Sequence, residues 1–120
     1  MAGCSITEYK NKKIVHMDIS NSDYDTCLKT LKEAEPLIRT QPEGTVLTIL
    51  DVTNSPFNRD TAKALKEFAT ANKPYIKMTA VIGVDGMKGI IFDSVLLFSR
   101  RKNIVTKNNI HEAMAFLADI

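Results

Sequence analysis

The chain has 120 residues, 44% of them hydrophobic and 25% charged, which is the composition of a single globular domain and not of a disordered or membrane-embedded chain. A formal net charge of +2 is too small to indicate nucleic-acid binding, because such domains carry a concentrated basic face. No apolar run approaches the ~20 residues that cross a bilayer and the first residues lack a signal-peptide core, so we expect one cytoplasmic domain over residues 1–120 without a transmembrane segment.

The chain opens with a predicted β-hairpin. Residues 5–9 and 13–19 have the composition of two strands, and residues 10–12 form the turn between them. His16 and Asp18 share one face of the second strand. We interpret this face as solvated, at or near the edge of a sheet.

A helix is predicted next, from about Asp23 to the region of Pro36. Ser22, with Asp25 three residues later, is typical of a helix start with negative charge in its first turn. Pro36 removes one backbone hydrogen bond, so we expect it to kink or end the helix. The apolar residues near one stripe of this helix are Tyr24, Leu28, Leu31 and Ile38.

The strongest signal is the run TVLTILDVTNSPFN at residues 45–58. Its apolar part does not alternate with polar residues, which predicts a central strand covered on both faces. Polar residues follow at the carboxyl end of this strand, where open α/β sheets bind ligands and partners. The candidate binding residues in this loop are Asp51, Thr53, Asn54, Ser55 and Asn58.

After this loop, helical and strand patterns alternate. We predict helices over 59–72, 87–101 and 110–118, with strands over 75–82 and 103–106. Asn58 and Asn109 are candidate N-caps of the first and last of these helices. The order β-β-α-β-α-β-α-β-α predicts an α/β domain with a mixed, mostly parallel sheet of about five strands and about four helices.

A second candidate loop follows the strand that ends at Ile82. Its candidate binding residues are Gly83, Asp85, Gly86 and Lys88. Backbone amides at a helix start bind anions, but a tight turn with Asp85 as the cap explains the same residues. Parallel strands align their carboxyl ends, so this loop adjoins the Asp51 loop if the two strands are neighbours.

The Asp51 loop has several interpretations. It can bind a small polar ligand or a protein partner, or Thr53 or Ser55 can be phosphorylated, which adds about −1.5 to −2 charges at a helix entrance. Alternatively, its side chains bond their own backbone in an Asx-type turn. We predict a binding surface and keep the turn as the structural alternative.

The predicted helix over 87–101 is apolar around most of its axis. Burial inside the domain, homodimer formation, an apolar ligand and a membrane surface are all compatible with this pattern, and we favour a homodimer. The residues that would form the dimer contact are Ile90, Phe92, Leu96 and Leu97. Arg100, Arg101 and Lys102 complement the helix dipole or, alternatively, contact anionic lipid headgroups.

Sequence motifs for catalysis and metal binding are missing. His16 and His111 have no metal-ligand spacing, and there is no Gly-x-Ser-x-Gly elbow. Cys4 and Cys27 are expected to be reduced thiols. We therefore predict a non-enzymatic protein without a metal or cofactor.

Several segments together resemble a family. The run Val46–Thr53, the helix Thr61–Phe68, the stretch Lys73–Lys77, then Ala80–Val84 and Ile91–Phe92 are similar to small bacterial and archaeal STAS-like proteins of the anti-sigma-factor-antagonist fold. This resemblance implies a single-domain STAS-like α/β sandwich that acts by binding. It also places Asp51, Thr53 and Ser55 at the position where STAS domains present a phosphorylatable hydroxyl, although the glycine of that motif is missing here. The group is often placed with the CRAL-TRIO lipid-binding domains, and this distant likeness makes binding of a lipid or another apolar ligand through the 87–101 helix the alternative function.

Overall fold

A computed structural model describes residues 3–55, 58–84 and 102–120. These residues form five strands and three helices, whereas the sequence predicted about four helices; the remaining one, over 87–101, lies outside the described residues. The elements are β1 (Gly3–Tyr9), β2 (Lys12–Asp18), α1 (Tyr24–Arg39), β3 (Val46–Asp51), α2 (Arg59–Ala71), β4 (Ile76–Ile82), β5 (Ile104–Lys107) and α3 (Ile110–Ala118).

The strands form one sheet in the order β1-β2-β3-β4-β5. β1 pairs antiparallel with β2, and all the other neighbours are parallel. This arrangement confirms the predicted opening hairpin and mostly parallel sheet. The hairpin turn is tighter than predicted, because Tyr9 pairs directly with Lys12 and only Lys10 and Asn11 lie between them, with φ of 49° and 68°. Two successive positive φ values are typical of a type I′ turn.

β3 lies at the centre of the sheet and is covered on both faces, as predicted. Every residue from Val46 to Leu50 is buried. The core on the α1 and α2 side includes Val46, Leu50, Val15, Leu31 and Leu65. The core on the α3 side includes Leu47, Ile49, Ile14, Ala80 and Leu117.

The prediction that one face of β2 is solvated is wrong. Ile14 and Val15 point to opposite faces of the strand, and both are 0% exposed. The reason is that β2 lies inside the sheet, between β1 and β3, and its second face joins the core beneath α3. His16 on that face is half-buried, and its Nε2 atom is buried without a hydrogen-bond partner among the described residues.

The helix starts follow the predicted cap chemistry with one correction. Asp23, and not Ser22, caps α1, because its carboxylate accepts from the Thr26 backbone N–H at 2.8 Å. Pro36 does not end α1, which continues to Arg39. A proline so near the end of a helix removes only one backbone hydrogen bond, and the Pro36 carbonyl still accepts from the Thr40 N–H. Asn58 and Asn109 cap α2 and α3 as predicted. None of the described helices is long and apolar enough to cross a membrane.

Candidate functional site

The central strand β3 ends in a tight turn built on Asp51. The Oδ1 atom of Asp51 accepts from the Thr53 backbone N–H at 3.0 Å and from the Thr53 hydroxyl at 2.6 Å. Asn54 follows with φ of 54°, a left-handed conformation that asparagine tolerates. Ser55 closes the turn: it is 6% exposed, and its hydroxyl donates to the Val52 carbonyl at 3.0 Å. The Asx-type bonding considered from the sequence is therefore present.

A similar turn, with the same aspartate bonding but a different carbonyl bonded by its last serine, occurs at the end of β2. The Oδ1 atom of Asp18 accepts from the Ser20 backbone N–H at 2.9 Å and from the Ser20 hydroxyl at 2.5 Å. Asn21 has φ of 55°, and Ser22 is 7% exposed with its hydroxyl on the Ser20 carbonyl. Residues 18–22 read Asp-Ile-Ser-Asn-Ser, and residues 51–55 read Asp-Val-Thr-Asn-Ser. Residues 18–22 were not predicted as part of the site, although this five-residue repeat in the sequence was the signal for them.

The two turns lie side by side. Asp18 and Asp51 are partners in the register of the parallel strands β2 and β3. The Asp51 carbonyl accepts from the Ile19 N–H at 3.0 Å, and the Thr53 carbonyl accepts from the Asn21 N–H at 2.9 Å. Because register partners on parallel strands point to the same face and adjacent strands are about 4.8 Å apart, the two carboxylates are close neighbours on the α3 side of the sheet.

The end of β4 adjoins the Asp51 turn on its other side. The Val52 N–H donates to the Ile82 carbonyl at 2.9 Å. Gly83 follows with φ of 90°, and a Cβ atom added there would lie 2.5 Å from Thr53 Oγ1 and 2.6 Å from the Thr53 nitrogen. Glycine is therefore required at this position by both its conformation and the close approach of the two loops. We call residues 18–22, 51–55 and 83 the strand-end rim.

The structure thus brings most of the predicted loop residues to one place. Asp51, Thr53, Asn54, Ser55 and Gly83 all belong to the strand-end rim. Asn58 is exposed at the start of α2, where it accepts from the Thr61 N–H at 3.0 Å and takes part in a capping box. The other predicted residues of the second loop and of the apolar helix lie outside the described residues, namely Asp85, Gly86, Lys88, Ile90, Phe92, Leu96, Leu97, Arg100 and Arg101.

The strand-end rim is acidic. Asp18 and Asp51 are half-buried, and in the part of the chain that the structure describes neither forms an ion pair. Each carboxylate uses Oδ1 for its own turn, and no hydrogen bond to Oδ2 is formed by residues 3–55, 58–84 or 102–120. Across the same ranges, no group of three or more acidic, histidine or cysteine side chains is arranged to hold a metal ion.

The two cysteines belong to the core on the α1 side of the sheet, the face opposite the Asp18 and Asp51 carboxylates. Neither forms a disulfide. Burial raises the pKa of the Cys27 thiol to about 11. Burial, followed by the nearby Glu33 carboxylate, raises the pKa of Cys4 to about 11 as well. Both thiols are protonated at neutral pH and are poor nucleophiles.

A separate open groove of about 380 Å³ runs between α1 and α2. Its lining combines apolar side chains, among them Tyr24, Leu28 and Phe68, with lysine, aspartate and glutamate side chains from both helices. None of the predicted loop residues that the structure describes lines it. The groove is therefore distinct from the strand-end rim.

Comparison with known proteins gives a structural likeness only. No family model matches the chain, and no curated protein matches it in sequence. Among solved structures, the chain is similar to an anti-sigma-factor antagonist (STAS) domain protein from Planctomyces limnophilus, with a TM-score of 0.63 over 98% of this chain and 99% of that chain. Sequence identity to that protein is 9%, so the likeness establishes the fold and confirms the one expected from the sequence.

Proposed function

Because the chain has the fold of a STAS domain, we propose that it is a non-catalytic regulatory module that binds a protein partner at the strand-end rim. The structural neighbour is an anti-sigma-factor antagonist (STAS) domain protein, and an antagonist of this kind acts on another protein. A partner-binding role is the activity that transfers most directly from such a neighbour. The cytoplasmic location predicted from the sequence belongs to the same proposal.

The observation that carries the proposal is the pair of duplicated turns. They hold Asp18 and Asp51 side by side, each fixed by two hydrogen bonds from its own turn. A fixed acidic pair costs little conformational entropy on binding, because its side chains are already ordered. Basic side chains of a partner suit this surface, since an arginine guanidinium binds carboxylate oxygens in a planar, directional way.

Phosphorylation would act directly on this surface. Of the two predicted hydroxyls, Thr53 is half-buried and Ser55 is 6% exposed, so Thr53 is the more accessible. A phosphate on Thr53 would replace the hydroxyl bond to Asp51 and add negative charge beside two carboxylates. We propose that this modification opens the turn and alters partner binding.

The test is affinity capture with paired charge variants. Asp18→Asn/Asp51→Asn removes two charges while each side chain keeps an oxygen acceptor for its turn. The matched control, Glu43→Gln/Asp119→Asn, removes two exposed acids from the opposite end of the molecule. Melting temperature is recorded for both variants, so that a loss of fold is recognised.

We expect the wild-type protein and the control to recover the same partner, with the affinity of the Asp18→Asn/Asp51→Asn variant lowered at least ~10-fold, as for loss of a charge-assisted contact. Equal recovery by all three folded proteins would reject the strand-end rim as the binding surface. If a small polar ligand occupies the rim instead, ligand binding is lost in the same variant without any captured protein.

A further inference from the structure

The outer edge of β1 is an edge of the described sheet that no described strand covers. β1 pairs with β2 over seven consecutive residues without a bulge, and it is the first strand in the sheet order. Within the described ranges, no residue of β1 makes a backbone hydrogen bond outside that pair. The backbone groups that face away from β2 therefore remain free to pair with another strand.

The composition of β1 lacks the usual protection against edge pairing. Natural edge strands carry lysines, prolines or bulges that prevent association. β1 reads GCSITEY and has no proline and one charged residue, Glu8. β5, at the other end of the described sheet, is only four residues long and ends in Lys107, so this edge is shorter and guarded by charge.

An exposed apolar side chain lies in the middle of this edge. Ile6 is 43% exposed, although its register partner Val15 is 0% exposed. Among the described residues, only Ile110 is another large hydrophobic side chain with comparable exposure, at 38%. A strand pairing along β1 would bury Ile6 together with the free backbone groups.

We propose that β1 pairs antiparallel with β1 of a second copy of this chain, which joins two sheets into one. β1 is self-complementary in a register centred on Ile6. The two Ile6 side chains then face each other on one side of the joined sheet, and Ser5 of each copy lies opposite Thr7 of the other. Each Glu8 lies opposite Cys4 of the other copy, so the two carboxylates are separated by about four residues, roughly 13 Å along the strands.

This register favours a second copy as the partner. Like charges directly opposite each other destabilise a strand pair, and this arrangement avoids them. A two-fold axis perpendicular to the joined sheet relates the two copies, and two-fold symmetry is the commonest symmetry of oligomers. The contact is lateral and uses β1, which is not part of the strand-end rim, so it is independent of the proposed function.

The test is sedimentation at about 1 to about 100 µM protein, the range in which an interface of modest size shows its equilibrium. Ile6→Lys places a charge on the edge, and Ser5→Lys places one on the opposite face of the same strand. Ile110→Lys removes the other exposed isoleucine and serves as the matched control. Circular dichroism of each variant checks that the fold is retained.

We expect a concentration-dependent dimer for the wild-type protein and Ile110→Lys, with dissociation constants raised at least ~10-fold in both edge variants. Hydrogen exchange of alternate β1 amides should slow at the higher concentration. A wild-type monomer throughout the range would overturn the proposal. A dimer that resists both edge variants and leaves β1 exchange unchanged would also overturn it, because such a dimer uses another surface.

Discussion

Replacement of Gly83 by alanine is the sharpest stability test of how the strand ends meet. The new Cβ atom would lie 2.5 Å from Thr53 Oγ1, 2.6 Å from the Thr53 nitrogen and 2.7 Å from its Cα. Two of these three atoms belong to the backbone and cannot rotate away. Thr53 is also held in place by its hydrogen bonds to Asp51 and by the Asn21 N–H on its carbonyl.

The expected cost has two parts. The φ of 90° is unfavourable for any residue with a Cβ atom, which costs about 1 to 2 kcal/mol. Crowding against a tightly packed neighbour adds about 1 to 3 kcal/mol. Gly83→Ala should therefore lower the free energy of unfolding by about 2 to 5 kcal/mol, a large fraction of the total for a small domain.

Gly44→Ala separates the two parts. Gly44 has φ of 74°, but an added Cβ atom there meets nothing within 4 Å, so only the conformational cost of about 1 to 2 kcal/mol applies. Equilibrium unfolding in urea measures both variants under the same conditions. If Gly83→Ala costs no more than Gly44→Ala, the β4 loop does not press against the Asp51 turn and the described rim geometry is refuted.

Two further predictions concern the core on the α1 side. Burial raises the pKa of the Cys27 thiol from 9.0 to about 11, so the unfolded chain loses the thiol proton at lower pH than the folded chain, and the free energy of unfolding falls between pH 9 and pH 11. Urea unfolding measured across this pH range should show a smaller fall in the free energy of unfolding for Cys27→Ala than for the wild-type protein. An equal fall in both proteins would contradict this prediction. The buried Thr48 and Thr79 hydroxyls bond each other at 2.7 Å across β3 and β4. Thr48→Val should lower the free energy of unfolding by about 1 to 3 kcal/mol. In a double-mutant cycle, Thr48→Val/Thr79→Val should lower it by less than the sum of the two single variants, and strict additivity would exclude coupling between the two hydroxyls.

The sequence predicted the fold well where one pattern had one physical explanation. The run from Val46 to Leu50, apolar except for Thr48, does not alternate between apolar and polar residues, which is the pattern of a central strand covered on both faces. Asn58 and Asn109 were recognised because the helix start leaves N–H groups that an amide side chain satisfies locally. Local chemistry was sufficient for these features.

Features that depend on distant residues were harder to predict. Alternation in β2 indicated a solvated face, but α3, nearly a hundred residues later, closes the core over Ile14. Only one of the two turns of the candidate site was predicted, the turn at Asp51. The neighbouring turn at Asp18 was assigned to the site only from the strand register, which places the two turns together. A comparison of residues 18–22 with 51–55 would have indicated the repeat, but not the contact between them.

Mapping of the binding surface in solution tests the central proposal most directly. Backbone amide resonances of the labelled protein are followed while the captured partner is added. We predict that the largest shifts occur in residues 18–22 and 51–55, on both copies of the repeated turn. Large shifts confined to the β1–β2 turn and the end of α3, with the strand-end rim unchanged, would contradict the proposal.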